Sequence, residues 1–132
     1  MGEAVFKQAL DVKGGNNIQV SSAGLNALVG YPPSETSQRL MANRKIDIST
    51  YRARQLTEKL ISEVDLILVM EMEQKKWIEA QNPFARGKVY RLGEWSNLEI
   101  PDPIGQSDRF FENVLLLIDQ GVADWIPKLI RG

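Results

Sequence analysis

Five segments of the chain are predicted to be helices, the first and the last of them from apolar residues that recur with a helical period. The segments are residues 2–10, residues from Glu35 to about Asn43, residues 57–62, residues 73–81 and a long last helix beginning near Ser107. Thr57 and Ser107 are predicted N-caps, because a hydroxyl can accept a backbone N–H of the first helical turn. Pro127 is predicted to kink or end the last helix. The apolar face of that helix comprises Phe110, Phe111, Val114, Leu117, Ile118, Val122 and Trp125.

Three shorter segments have the composition of β-strands. Residues 18–20 alternate and are β-branched, and residues 88–92 predict another short strand. Residues 65–70 are apolar on both faces, which is typical of a buried parallel strand. Glycine, asparagine and proline predict a turn at 14–17 and loops at 21–33 and around Pro101 and Pro103. Because strands alternate with helices, the pattern predicts a parallel α/β sheet, although such a domain usually has a strand before its first helix.

The composition predicts one globular domain. The chain has 132 residues, of which 43% are hydrophobic and 25% charged. Its formal net charge of −1 gives no reason to expect nucleic acid or an anionic membrane as a partner. No apolar run approaches the roughly 18 residues of a membrane span, and the amino terminus lacks the pattern of a signal peptide. We therefore expect a cytoplasmic protein without membrane insertion.

The sequence contains no cysteine and no histidine. This excludes disulfides, thiolate metal sites and cysteine nucleophiles within these residues, and serine–histidine catalysis as well. A zinc site would have only carboxylate ligands, so we expect no metal and no cofactor. The remaining chemistry must depend on carboxylates, arginines, hydroxyls and backbone amides.

Five short segments occur in a characteristic order. They are residues 3–6 (EAVF), 22–24 (SAG), 53–57 (ARQLT), 65–71 (DLILVME) and 101–103 (PDP). In this order and at this spacing they resemble the low-molecular-weight protein tyrosine phosphatase family, from Met1 to the last helix. The stretch at 22–30 (SAGLNALVG) is most similar to bacterial members that serve capsule and exopolysaccharide systems.

The resemblance implies a three-layer αβα fold around a short parallel sheet. In the family the sheet has four strands, and a strand and a loop of pattern C-x5-R, followed by Ser-Pro, precede the first helix. Met1 aligns just after that Ser-Pro. We therefore expect residues 1–132 to form a single truncated domain of this family, without the first strand, the nucleophilic cysteine and the phosphate-binding arginine.

The family's reaction needs three chemical parts. Backbone amides at a helix N-terminus and an arginine bind the phosphate, a thiolate of lowered pKa attacks it, and a carboxylic acid protonates the leaving oxygen. Only the acid is retained here, because Asp102 matches the family's general acid. The alternative is a turn residue, since Asp-Pro is a common loop signal. An aromatic residue commonly follows this Asp-Pro in the family and lines the slot for the substrate ring, whereas Ile104 occupies that region here.

Three further positions match residues around the family's active site. Leu28 matches a loop position at the active-site mouth, where it would contact the substrate ring together with Ile104; the alternative is a buried loop anchor. Ser22 matches a serine that braces the phosphate loop, and its alternative is a capping or turn serine. Arg54 matches an arginine of the supporting shell, and its alternative is a solvated loop residue.

Two functions are consistent with these residues. The first is hydrolysis of phosphotyrosine through a cysteinyl-phosphate intermediate, inactive in the chain as given, with a phosphotyrosine protein such as a bacterial tyrosine kinase as partner. The second is a non-catalytic module that docks a kinase or phosphatase partner. Arsenate reduction on the same fold also needs cysteines and fits less well. Without the first strand, three outcomes are open: the sheet closes up, a second copy of the chain fills the gap, or the chain is partly molten. We expect the second outcome, a homo-oligomer, because exposed strand edges favour pairing with another chain.

Overall fold

The computed structural model describes residues 1–14 and 17–130, which form five α-helices and two β-strands. The helices are α1 (Gly2–Lys13), α2 (Glu35–Asn43), α3 (Glu58–Glu63), α4 (Met72–Gln81) and α5 (Asp108–Ile130). The strands are β1 (Ile67–Val69) and β2 (Val89–Arg91), and single 3₁₀ turns lie at Pro83–Ala85 and Glu94–Ser96. All five predicted helices are confirmed. The turn predicted at 14–17 lies partly outside the described residues, and of its members Gly14 caps α1 with φ 81°.

Side-chain hydroxyls begin two of the helices as the sequence predicts. Thr57 Oγ1 accepts the Leu60 N–H at 3.2 Å, and Ser107 Oγ accepts the Phe110 N–H at 3.2 Å. The last helix continues through Pro127, so the proline does not end it. Although α5 has 23 residues, neither it nor another helix of the described chain combines the length and apolar composition needed to cross a membrane.

The sheet of the described residues consists of β1 and β2 in parallel. The Ile67 N–H donates to the Lys88 carbonyl at 2.8 Å, and the Val69 carbonyl accepts the Leu92 N–H at 2.7 Å. Because alternate residues of a parallel strand face the same neighbour, the N–H and C=O of Leu68 point away from β2. This side of β1 is named the open edge, since no strand of the described ranges pairs with it.

The prediction of a third strand at residues 18–20 is wrong, because this segment belongs to no strand. Its alternation is nevertheless reflected in burial: Ile18 and Val20 pack against the core, while Gln19 is exposed. A strand requires a backbone partner, and the described residues supply none for this segment. The sheet has therefore not closed up by pairing residues 18–20 with β1.

Helices cover both faces of the sheet, which confirms the three-layer αβα arrangement. The main core joins α1, α2 and α5 to one face, where Leu66 and Leu68 pack. A smaller core joins α3 and α4 to the other face, where Ile67 and Val69 pack. The segment at 65–70 is thus apolar on both faces as predicted, but within it only Val69 is buried, at 8% exposure. The incomplete burial follows from the open edge, on which no strand of the described residues lies beside β1.

Candidate active site

The loop at 21–33 is fastened along its length to residues 53–56. Gly24 forms a parallel bridge with Gln55, made by two backbone hydrogen bonds of 2.8 Å. The Gln55 side chain also bonds to the loop backbone twice, at 2.6 and 3.0 Å. Leu28 lies among these attachments, yet its side chain is 65% exposed, so its interpretation as a buried anchor is wrong. The loop backbone around Leu28 is held in place while its apolar side chain is exposed, which is suitable for contact with a ligand. This role of Leu28 stays a prediction.

Ser22 meets the first turn of α1. Its hydroxyl donates to Glu3 Oε1 at 2.6 Å, and Lys7 Nζ donates to Glu3 Oε2 at 2.7 Å. Arg54 Nε donates to the Ser22 carbonyl at 3.1 Å, although the arginine is otherwise exposed. The structure therefore brings the two predicted residues, Ser22 and Arg54, together around Glu3.

Glu3 and Lys7 belong to this cluster, but the sequence did not predict them as site residues. Burial by itself raises the pKa of Glu3, but hydrogen bonds from Lys7 and Ser22 and the positive charges of Lys7 and Arg54 outweigh it and hold the pKa below its usual value. The spacing of Glu3 and Lys7 on a predicted helix was the available signal, since residues four apart are neighbours. The contact with Ser22 joins residues 19 apart and has no local pattern.

Replacing Glu3 by glutamine is expected to lower the free energy of unfolding at neutral pH by about 1–2 kcal/mol, because charge-assisted hydrogen bonds become neutral ones. A carboxylate whose pKa is lowered by folding stabilises the protein above its unfolded pKa, near 4.5, and this contribution is lost as the pH falls through the folded pKa. Urea denaturation from about pH 7 to pH 3 should therefore show the wild type converging on Glu3→Gln in acid. Glu112→Gln, an exposed change on α5, is the control. A difference that does not depend on pH would contradict this account.

Ser22 and Arg54 line a cleft of about 410 Å³. Lys7, Arg52 and Arg54 contribute three cationic side chains to it, whereas Glu3 contributes one carboxylate. The local charge is therefore positive and favours an anion over a cation. Among the described residues, no three acidic side chains converge to hold a metal ion.

Asp102 lies on the exposed loop before α5. Its Oδ1 accepts the Ile104 N–H at 3.0 Å, which is the geometry of an Asx-turn. The side chain is exposed, so the turn contact leaves the carboxylate accessible to a ligand. Ile104 is also exposed, at 64%. Within the described chain, no hydrogen bond joins this pair to Ser22 or Arg54, and neither residue lines the cleft.

Comparison with known proteins gives consistent matches over the whole chain. The family described as Low molecular weight phosphotyrosine protein phosphatase matches residues 1–132. A probable low molecular weight protein-tyrosine-phosphatase, EpsP of Ralstonia solanacearum, is 42% identical over 129 residues, covering 98% of this chain and 86% of the relative. Etp of Escherichia coli K12, a low molecular weight protein-tyrosine-phosphatase, is 32% identical over 132 residues, covering 99% of this chain and 86% of the relative.

Two solved structures extend the likeness to three dimensions. Wzb of Vibrio vulnificus in complex with benzylphosphonate has a TM-score of 0.87 at 34% identity, covering 96% of this chain and 87% of that one. The tyrosine phosphatase AmsI of Erwinia amylovora has a TM-score of 0.88 at 33% identity, covering 98% of this chain and 83% of that one. The chain therefore belongs to the low molecular weight phosphotyrosine protein phosphatase family.

Proposed function

We propose that this chain provides the scaffold and the general acid of a protein tyrosine phosphatase, and that by itself it does not catalyse the reaction. Family membership supports the first half of this proposal. The second half rests on the absence of cysteine from the 132 residues, because the family's covalent intermediate forms on a thiolate sulfur. A strand and a C-x5-R-S-P loop joined before Met1 would supply that thiolate and the arginine that binds the phosphate.

In the proposed reaction the thiolate attacks phosphorus and the bond to the tyrosine oxygen breaks. Asp102 donates its proton to the leaving oxygen, so that a phenol departs rather than a phenolate. Water then attacks the cysteinyl-phosphate, the sulfur–phosphorus bond breaks, and the Asp102 carboxylate accepts the proton from water. A tyrosine hydroxyl has a pKa of about 10, so protonating its oxygen removes a large part of the barrier to departure.

The substrate class is supported by two observations. Leu28 and Ile104 both expose apolar side chains that can contact an aromatic ring. The related Wzb binds benzylphosphonate, in which an aromatic ring carries a tetrahedral phosphonate group. We propose a phosphotyrosine protein as the substrate, and a cytoplasmic bacterial tyrosine kinase of polysaccharide export as the specific partner.

The test compares two chains on p-nitrophenyl phosphate. The 132-residue chain is expected to show no turnover above background, because it contains no cysteine. The loop-bearing chain, in which a family-like strand and C-x5-R-S-P loop are joined before Met1, is expected to hydrolyse the substrate. Serine in place of the added cysteine is the matched control, since it keeps the strand and removes the thiolate. Turnover by the 132-residue chain, or by this serine control, would contradict the proposal.

A non-catalytic docking module is the alternative function. The exposed apolar side chains of Leu28, Val29 and Tyr31 favour it, since each is more than 60% exposed on a loop whose backbone is held in place. This alternative predicts that the DNA upstream of the Met1 codon contains no in-frame C-x5-R-S-P. An in-frame motif there favours the phosphatase instead.

A further inference from the structure

A buried arginine holds the segment that leads into the Asp102 loop. Arg91, at the end of β2, is only 7% exposed. Its Nη1 donates to Glu99 Oε2 at 2.9 Å. The other oxygen of Glu99 accepts the backbone N–H of Met72, the first residue of α4, at 2.9 Å. Glu99 is thus joined to a strand and to a helix three residues before Asp102.

Ile100 further restricts the position of the backbone that leads to Asp102. Ile100 is 1% exposed, and its N–H donates to the Met70 carbonyl at 3.0 Å. Pro101 alone separates Ile100 from Asp102, and a proline has a fixed φ. The position of the Asp102 backbone is therefore set by the attachments of residues 99–101.

Arg91 is itself held from several directions. Its Nη2 donates to Asn97 Oδ1 at 3.0 Å and lies 3.5 Å from Glu94 Oε2. Its carbonyl accepts the indole N–H of Trp125 at 3.1 Å. Its Nε is buried and has no hydrogen-bond partner within the part of the chain that the structure describes. Burying a guanidinium is costly, and its ion pair with Glu99, whose side chain is 49% exposed, adds little net stability because solvent screens the attraction. A contribution to stability therefore explains the buried Arg91 side chain poorly. A role in fixing the direction of the Asp102 loop explains it better.

We propose that Arg91 and Glu99 are positioning residues for Asp102, and this inference rests on the proposed role of Asp102 as the general acid. The geometry of the pair sets where the acid lies before substrate binds. The pair is charged near neutrality, since the hydrogen bond from Arg91 and that from the Met72 amide hold the pKa of Glu99 below its usual value.

The first test needs no catalysis and uses the 132-residue chain. Glu99→Gln keeps the side-chain shape and removes the charge. Amide hydrogen exchange measured by NMR at Ile104, whose N–H binds the Asp102 carboxylate, is expected to become about tenfold faster, in line with the loss of a charge-assisted contact. Asn97→Gly, which suits the left-handed φ of 51° at this position, removes a different Arg91 contact and should shift the same amide in the same direction.

Asp119→Asn is the matched control. Asp119 and Arg44 form a comparable half-buried ion pair, with hydrogen bonds of 2.6 and 2.7 Å, between α5 and the end of α2. The control is expected to change global stability, measured by urea denaturation, without changing exchange at Ile104. The inference would be overturned if Glu99→Gln left the exchange rate of the Ile104 amide at its wild-type value. It would also be overturned if Asp119→Asn changed that rate by the same factor as Glu99→Gln.

The second test uses the loop-bearing chain and separates positioning from stability. Glu99→Gln is expected to lower kcat/KM on phenyl phosphate about 10–100-fold, as displacement of a catalytic group does. Its kcat/KM on dinitrophenyl phosphate should stay near the wild-type value, because that leaving oxygen needs no proton and kcat/KM does not include the later hydrolysis step. Equal losses on both substrates would show a merely structural role. If the loop-bearing chain is inactive, the proposed function fails, while the exchange experiment still decides whether Arg91 and Glu99 position the loop.

Discussion

Asp102→Asn in the loop-bearing chain is expected to lower kcat/KM on phenyl phosphate by about 10²–10⁴-fold, the range that general acid catalysis contributes. Asparagine has the size of aspartate, and its side-chain oxygen can still accept the Ile104 N–H. The substitution therefore removes the proton and preserves the turn. The measurement is kcat/KM on phenyl phosphate and on dinitrophenyl phosphate, whose leaving oxygen is a weak base, because kcat/KM reports departure of the phenol and not the later hydrolysis in which Asp102 also takes part.

The comparison of the two substrates makes this prediction specific to acid catalysis. On dinitrophenyl phosphate, Asp102→Asn should retain most of its kcat/KM, since leaving-group protonation adds little to formation of the cysteinyl-phosphate there. Asp108→Asn, at the exposed start of α5, is the control and should affect neither substrate by more than a small factor. An unchanged rate on phenyl phosphate in Asp102→Asn would mean that another group protonates the leaving oxygen.

The 132-residue chain is expected to self-associate at micromolar concentration, and the loop-bearing chain to be a monomer of higher melting temperature. The reason is the open edge, where the Leu68 N–H and C=O have no strand partner among residues 1–14 and 17–130 and the apolar side chains of Leu66 and Leu68 are only partly buried. An unpaired buried backbone group costs about 1–3 kcal/mol, a large share of the roughly 5–15 kcal/mol that stabilises a domain. A second copy can supply strand partners, and exposed edges favour such pairing.

Sedimentation equilibrium and thermal melting of both chains test this expectation. Gln19 is exposed, and Gln19→Pro removes its backbone donor from the segment at 18–20, so the substitution should weaken association if that segment takes part. Leu116→Glu is the control, because Leu116 is a 63% exposed apolar residue on α5, away from the sheet edge. Dissociation by Leu116→Glu alone would place the interface on α5. A cooperative monomer that melts like the loop-bearing chain would show that the open edge costs little.

Helices were predictable from the sequence because their signals are local. Thr57 and Ser107 each lie three residues before the N–H that they accept, and the apolar face of α5 repeats within a single element. The prediction of a strand at residues 18–20 was wrong because strand formation depends on a partner from elsewhere in the chain. Alternation predicts which side chains turn inward, and Ile18 and Val20 do so, but a strand exists only where another segment offers its backbone.

In the candidate site, too, the local contacts could be predicted from the sequence, whereas the contacts between distant segments could not. The Asp-Pro signal at Asp102 predicted a loop, and the Asx-turn to Ile104 spans only two residues. The meeting of Ser22 with Glu3 across 19 residues, and of Arg54 with Ser22 across 32, has no counterpart in local periodicity. The contacts followed from packing the 21–33 loop against both α1 and the 53–56 segment.

By itself the sequence determined which chemistry these residues can perform: without cysteine or histidine, it leaves a carboxylate acid, arginines and backbone amides. It also determined the helices and the order of segments that marks the family. Only the tertiary structure decided that Arg91 is buried, that it holds Glu99 next to the Asp102 loop, and that β1 keeps an open edge. The physical reason is that burial and ion pairing depend on which distant segments pack together, whereas propensity and capping depend on neighbours within one turn.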